Sequence, residues 1–187
     1  MSLTLLLGGA RSGKSSLAVE IGRRYDGPVS FVATAPAIDS DMRQRIERHR
    51  AERPADWTTV EAPIELSDAL RSTGDDDLVI IDCLTLWVSN LMYAGRSDDQ
   101  VRDAAASTSA VAAARTGQVV AVSNEVGMGI HPDTPLGRRY RDLLGWVNQT
   151  WAATSTTSLL LVAGKAIELT DPWQHLDGLR RPNTNRA

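Results

Sequence analysis

The chain has 187 residues, with 20 Lys and Arg against 23 Asp and Glu and a formal net charge of −3. That length supports one sizeable core and leaves little for a second, and the acidic balance argues against nucleic acid as the main partner, because a basic face would have to supply most of that affinity. No stretch approaches the roughly 18 apolar residues of a membrane span, and Cys83 is the only cysteine, so no internal disulfide is available and a cytoplasmic protein is expected.

The first element is the apolar run Leu3–Leu7, which lacks the charged leader and cleavage site of a signal peptide and reads as a strand. Directly after it, Gly8, Gly9, Ala10, Arg11, Ser12, Gly13, Lys14 and Ser15 fit the phosphate-loop pattern G-x-x-x-x-G-K-[ST]. Glycine lets the chain turn where a Cβ would clash, so that backbone N–H groups face phosphate oxygens and the following helix points its positive end at them. Lys14 would reach the β- and γ-phosphates, and the Ser15 hydroxyl would meet a magnesium ion shared with them. Leu17, Ala18 and Ile21 give that helix its apolar face. Val29–Ala33 is the second predicted strand.

From Asp39 to Trp57 the pattern predicts a helix capped by Asp39 or Ser40, running through Met42, Ile46 and His49 and ended by Pro54. Counting in fours places Arg45, His49 and Arg53 on one stripe that could grip a triphosphate, with Arg48 and Arg50 pointing elsewhere. Positive charge nearby disfavours the imidazolium and would leave His49 a ring nitrogen for attack on phosphorus. Spacing alone nevertheless favours an ordinary surface histidine.

Gly74 to Asp77 is a turn launching the third predicted strand, Leu78–Asp82, four apolar residues ending in a carboxylate. In open α/β sheets ligands lie beyond the carboxyl ends of the strands, so Asp82 can face a nucleotide-bound metal, or it can cap a helix; the phosphate loop favours the metal. Cys83 reads as a packed, inert thiol, and Trp87, Val88, Leu91 and Met92 as core at helical spacing. An alanine-rich helix over Asp98–Thr116 stops at Gly117. Val119–Ser123 is the fourth strand, and Glu125 in the loop after it either shapes a site or steadies a turn. Leu136, Tyr140, Leu143, Leu144, Val147 and Trp151 keep helical spacing, and Leu159–Val162 is the last strand. The tail from about residue 172 is polar and expected to fray, and His175 within it to be solvated. Strands alternating with helices predict an α/β fold, a mostly parallel sheet flanked by helices in a single domain spanning residues 1–187.

Four motifs now stand in order: Gly8–Ser15, Arg45–Pro54 with Trp57 and Glu61, Ile81–Asn90, and Ser123–Ile130. Together, over about residues 3–169, they resemble the bifunctional adenosylcobinamide kinase/adenosylcobinamide-phosphate guanylyltransferases, and Leu136–Asp142 with Asn148 and Gln149 extend the likeness. The resemblance implies a P-loop NTPase fold and two reactions of cobalamin biosynthesis. A nucleoside triphosphate, ATP or GTP, phosphorylates the aminopropanol hydroxyl of the corrinoid adenosylcobinamide. GTP then gives GMP to that phosphate through a guanylylated histidine, yielding adenosylcobinamide-GDP and pyrophosphate.

On the same resemblance His49 is the nucleophile, which reverses the reading from spacing. Gly8 to Ser15 hold phosphates, Lys14 acts in catalysis, Ser15 and Asp82 hold Mg2+, Ala33, Thr34, Ala35, Arg50, Ala51, Glu52 and Arg53 border the nucleotide, and Glu61 and Asp82 contact nucleotide or metal. A homo-oligomer is implied, with no nucleic-acid partner and no membrane span. His131 and Lys165 stand where the family favours apolar residues, and neutral surface changes are expected there. Two rivals share the nucleotide motifs: a P-loop kinase for another small alcohol, which has no use for a nucleophilic histidine, and an NTP-driven switch or DNA-associated ATPase, against which the acidity counts.

Overall fold

The computed structural model describes residues 2–36 and 40–176 and gathers the apolar runs into one seven-stranded sheet. The strands are β1 (Leu3–Gly8), β2 (Val29–Ala33), β3 (Thr58–Glu61), β4 (Leu78–Asp82), β5 (Val119–Val122), β6 (Thr157–Val162) and β7 (Lys165–Glu168). The helices are α1 (Lys14–Arg23), α2 (Ser40–Ala51), α3 (Leu66–Ser72), α4 (Leu84–Tyr93), α5 (Asp98–Ala114) and α6 (Pro135–Thr154). Strand order is β3-β2-β4-β5-β1-β6-β7, all pairs parallel except β6 with β7.

Strands buried on both faces explain the unbroken apolar runs of β1, β4 and β5. Side chains alternate across the sheet, so Leu3, Leu5, Val79, Ile81, Val119 and Ala121 meet Trp87 of α4 and Leu144, Val147 and Trp151 of α6. Leu6, Leu78, Ile80, Val120 and Val122 face the other way, onto Ala18 of α1, with Leu17, Ile21 and Trp57 packed at the margin. Helix starts follow their caps. Ser97 and Gln100 form a reciprocal capping box at α5, and Thr134 accepts from Gly137 N–H ahead of Pro135 at α6. No helix among the described residues is long and apolar enough to cross a membrane.

The five predicted strands are all present, with β5 ending one residue earlier, at Val122, and β6 starting earlier, at Thr157. Three elements had no prediction: the edge strands β3 and β7 and the short helix α3. The alanine-rich helix ends at Ala114 instead of Thr116, where Arg115 turns to extended backbone. Residues 74–77 form the expected turn, Asp77 N–H donating to Gly74 O at 3.1 Å. Trp87, Val88, Leu91 and Met92 are core, as read from their spacing. The tail departs from its expectation over Pro172–His175, which forms a 3-10 turn capped by the Asp171 side chain. His175 is exposed there and lies 2.9 Å from the Thr170 hydroxyl. Residues 180–187 and the cap at Asp39 lie outside the described residues.

Candidate active site

Three strand ends converge on one cleft. The loop after β1, the carboxyl ends of β2 and β4, and the final turn of α2 border a cavity of about 570 Å3, a size that suits small-molecule ligands, which occupy roughly 300–1,000 Å3. It is lined by Ala10, Arg11, Ser12, Gly13, Lys14 and Ser15 on the first side, by Phe31, Ala33, Ala35, Asp82 and Cys83 along the sheet edge, and by Ile46, Arg48, His49, Glu52 and Arg53 on the third.

The loop reaches this shape through backbone that side chains resist. Gly8 has φ 150 and an added Cβ would strike Leu161 O, while Gly13, at φ 102, caps α1. Lys14 is buried and folds back over the loop, its Nζ donating to Gly8 O at 2.9 Å, Gly9 O at 2.7 Å and Ser12 Oγ at 3.3 Å. Burial lowers its pKa, against an opposing pull from Cys83 and Asp82. The tip of the β6–β7 hairpin adds a brace from outside, Gly164 N–H donating to Ser12 O at 3.0 Å.

Asp82 ends β4 inside this cluster. Burial raises its pKa above the usual carboxylate value, while the Ser15 hydroxyl, His49, Arg53 and Lys14 all pull the other way. The structure thus brings Lys14 and Ser15, His49 and Arg53, and Asp82 together from three separate stretches of the sequence. Burial, with Asp82 adding to it, pushes the neighbouring Cys83 thiol up to about 11, which keeps it protonated at neutral pH. Thr34 is buried instead of facing the cleft. Its hydroxyl donates to Cys83 O at 2.7 Å and accepts from Cys83 N–H at 2.8 Å, so it ties β2 to β4.

Helix α2 ends at Ala51, so Arg53 lies past it and the predicted helical stripe does not extend to that residue. Arg53 reaches the cleft by another route. Its Nε donates to His49 O at 3.0 Å and its guanidinium lies 3.9 Å from the Phe31 ring centroid. Nη1 is buried without a partner among the described residues, and burial with the adjacent Arg50 lowers its pKa. Arg48 lines the cleft too, which corrects the helical count that pointed it elsewhere. The Arg45 side chain falls outside what is described. Arg50 and Ala51 are exposed and do not line the cleft, and Glu61, exposed at the end of β3, lies beside Ala33 in register but off the lining. Gly8 and Gly9 contribute their carbonyls to Lys14 rather than surface to the cavity.

Outside the cleft, Glu125 accepts Gly127 N–H, the turn-steadying alternative of its two readings. His131 and Lys165 are both exposed, His131 Nδ1 lying 2.6 Å from Arg141 Nη1. Sequence reasoning missed Ser16, Phe31, Ile46, Cys83, Leu86, Val122 and Asn124 as lining residues. Asn124 falls inside the Ser123–Ile130 motif, which was the available signal.

A phosphate loop after the first strand of a parallel sheet, with a carboxylate at the end of another strand, defines a P-loop nucleotide-binding protein. Solved structures agree at the level of fold: a prototypical ATPase from a bacterial type III secretion system superimposes with a TM-score of 0.55 at 11% identity, covering 94% of this chain and 53% of that one. The assembled type III secretion ATPase EscN of enteropathogenic E. coli gives a TM-score of 0.51 at 12% identity over 94% of this chain. The chain spans about half the length of each.

Sequence comparison is more specific. The family described as cobinamide kinase / cobinamide phosphate guanyltransferase matches residues 4–169. The bifunctional adenosylcobalamin biosynthesis protein CobP of Pseudomonas aeruginosa is 41% identical over 167 residues, 88% of this chain and 95% of that protein. The corresponding CobU of Salmonella typhimurium is 38% identical, covering 89% of this chain and 99% of its own. The chain belongs to this family.

Proposed function

We propose that this cleft phosphorylates the aminopropanol hydroxyl of adenosylcobinamide with ATP or GTP, and then transfers GMP from GTP to the new phosphate through a guanylylated His49. The observation that carries the reading is the convergence of Lys14, Ser15, Asp82, His49 and Arg53 on one cavity. A plain kinase has no need of the histidine, and its presence beside the phosphate loop favours two chemistries over one.

In the first step the corrinoid hydroxyl oxygen bonds to the γ-phosphorus and the bond to the bridging oxygen breaks, leaving the nucleoside diphosphate. Little covalent help is required of the protein; positioning and charge neutralisation by Lys14 and Arg53 do most of it. In the second, a ring nitrogen of His49 displaces pyrophosphate from the α-phosphorus of GTP, and a phosphate oxygen of the corrinoid then displaces the histidine. Two inversions at one phosphorus replace a direct transfer between two anions.

The donor set suits magnesium. One carboxylate, Asp82, and one hydroxyl, Ser15, are hard oxygen donors, and an ion shared with substrate phosphates needs no more from the protein. Among the described residues no group of three or more His, Cys, Asp or Glu is placed to hold a metal alone. The ion would neutralise charge on the phosphates, and it would offset the burial that now disfavours the Asp82 carboxylate. One domain carrying both activities, a cytoplasmic location and a homo-oligomer belong to the same proposal.

Asp82→Asn keeps the shape and removes the charge. Magnesium-dependent turnover is expected to fall by about 10²–10³-fold, measured at limiting magnesium. The melting temperature at neutral pH should rise. Because folding raises the Asp82 pKa, the folded protein holds a proton that the unfolded chain has released, so the parent's stability falls as pH climbs from the usual carboxylate value through the raised one, and the Asn variant lacks that fall. A variant as active as the parent at limiting magnesium removes the metal role. The function itself is tested by incubating the protein with adenosylcobinamide, ATP and GTP and following product mass: successive gains of phosphate and of GMP are expected, and corrinoid of unchanged mass rejects the reading.

A further inference from the structure

Strand β5 lies between the strand that carries the phosphate loop and the strand that ends in Asp82, and two residues past its end Asn124 lines the cleft. The backbone around it is fixed from both sides. Ser123 N–H donates to Leu6 O at 2.9 Å and Glu125 N–H to Gly8 O at 3.0 Å, which ties the segment to β1 and the start of the phosphate loop. Asn124 N–H donates to Thr85 Oγ1 of α4 at 2.8 Å, and its carbonyl accepts from Asn148 Nδ2 of α6 at 3.0 Å. Asn148 is buried, and its Oδ1 accepts the Ser123 hydroxyl at 2.6 Å, so its amide is used at both ends.

All five of these bonds engage backbone or the neighbouring Ser123. The Asn124 carboxamide itself makes no hydrogen bond with another described residue. A fold that buries an asparagine on a distant helix to hold one backbone carbonyl has fixed the point on the cleft's edge from which the Asn124 carboxamide reaches. A carboxamide offers two donors and an acceptor without a titration of its own, so it can donate to a phosphoryl oxygen at any working pH.

We propose that Asn124 is a catalytic residue of phosphoryl transfer, its side-chain amide touching the transferring γ-phosphoryl group, and that Asn148 is the positioning residue that holds it. The proposal rests on the cleft being the kinase site. As the acceptor hydroxyl oxygen bonds to the γ-phosphorus, the bond from that phosphorus to the β,γ-bridging oxygen breaks and its electron pair stays on the departing diphosphate; the hydroxyl proton is released to solvent. Negative charge on the equatorial oxygens is redistributed in this step, and a donor carried beside them on a fixed backbone lowers the barrier.

The test is a double-mutant cycle on the full chain, with adenosylcobinamide phosphorylation as the rate and calorimetric Kd for a non-hydrolysable ATP analogue with magnesium as the control. Asn124→Ala leaves every backbone bond in place. Its kcat is expected to fall about 100-fold, with Kd within about threefold of the parent. Asn148→Ala should lower kcat about tenfold in the parent, with KM unchanged, and have no further effect in the Asn124→Ala background, because a residue acting through another adds nothing once that other is gone. Full turnover by Asn124→Ala, or a rise in Kd as large as its rate loss, overturns the catalytic contact. An equal kcat loss from Asn148→Ala in both backgrounds makes that residue merely structural and overturns its positioning role. A parent protein that binds the analogue but leaves adenosylcobinamide unphosphorylated overturns the kinase reading and this contact with it, whereas an active parent with an unaffected Asn124→Ala variant overturns the contact alone.

Discussion

His49→Ala is expected to abolish guanylyl transfer while phosphorylation of the corrinoid alcohol persists at a reduced rate. The loss of adenosylcobinamide-GDP formation should exceed about 10³-fold, the scale seen when a covalent nucleophile is removed. Kinase turnover survives because attack on the γ-phosphorus comes from the substrate's own hydroxyl. Some reduction follows from the surroundings. His49 opposes the raised pKa of Asp82, and its carbonyl anchors Arg53, although the anchor is backbone and remains in the variant. Parent protein mixed with magnesium and GTP labelled at the α-phosphate should retain label after denaturation, on a bond that acid cleaves and alkali spares, as a phosphorus–nitrogen bond does. Peptide mapping should place it on His49. Label on another residue, or an alanine variant that still makes adenosylcobinamide-GDP at the parent's rate, ends the covalent-histidine mechanism.

Lys14→Ala should abolish both reactions, each by on the order of 10²–10³-fold or more. The phosphate-loop motif assigns this side chain a role toward phosphates, and the structure adds a second one within the loop itself. Nζ donates to Gly8 O, Gly9 O and Ser12 Oγ, which ties the loop to the start of α1. Removing it has two opposed effects on stability. Those hydrogen bonds are lost, yet the burial that lowers the lysine's pKa is also relieved. The melting temperature is therefore expected to shift by no more than about 4 °C, equivalent to about 1 kcal/mol in a chain of this size. Either reaction continuing near the parent's rate would rule out a shared phosphate-loop site.

Much of this arrangement is legible in the sequence because burial on both faces writes itself as unbroken apolarity. Strands β1, β2, β4 and β5 are visible for that reason, β6 is visible from its apolar run Leu159–Val162 although it is only partly buried, and the phosphate loop and Asp82 follow from the ends of β1 and β4. β3 and β7 are not visible. Thr58–Glu61 sits at the sheet edge half-exposed, and Lys165–Glu168 is exposed throughout, so neither carries an apolar run. Their pairing is a property of the neighbouring strand, not of their own residues. The site divides the same way. Helical counting reaches His49, but it cannot place Arg53, whose position past Ala51 is set by the Phe31 ring and the His49 carbonyl, nor bring Arg48 into the cleft. Asn124 is hidden for a similar reason: what marks it out is a set of hydrogen bonds to Leu6, Gly8, Thr85 and Asn148, spread over more than a hundred positions.

The position of β1 in the sheet bears on how the protein is made. The phosphate loop follows a strand that is synthesised well before both of its sheet partners, β5 and β6. Until residues 119–122 and then 157–162 have been synthesised, Leu3–Gly8 is an apolar segment with both edges open. The loop's outer brace, Gly164 N–H on Ser12 O, arrives later still. Nucleotide thus cannot stabilise the nascent chain by occupying a finished loop until these long-range partners, more than a hundred residues further on, have been made and close over β1.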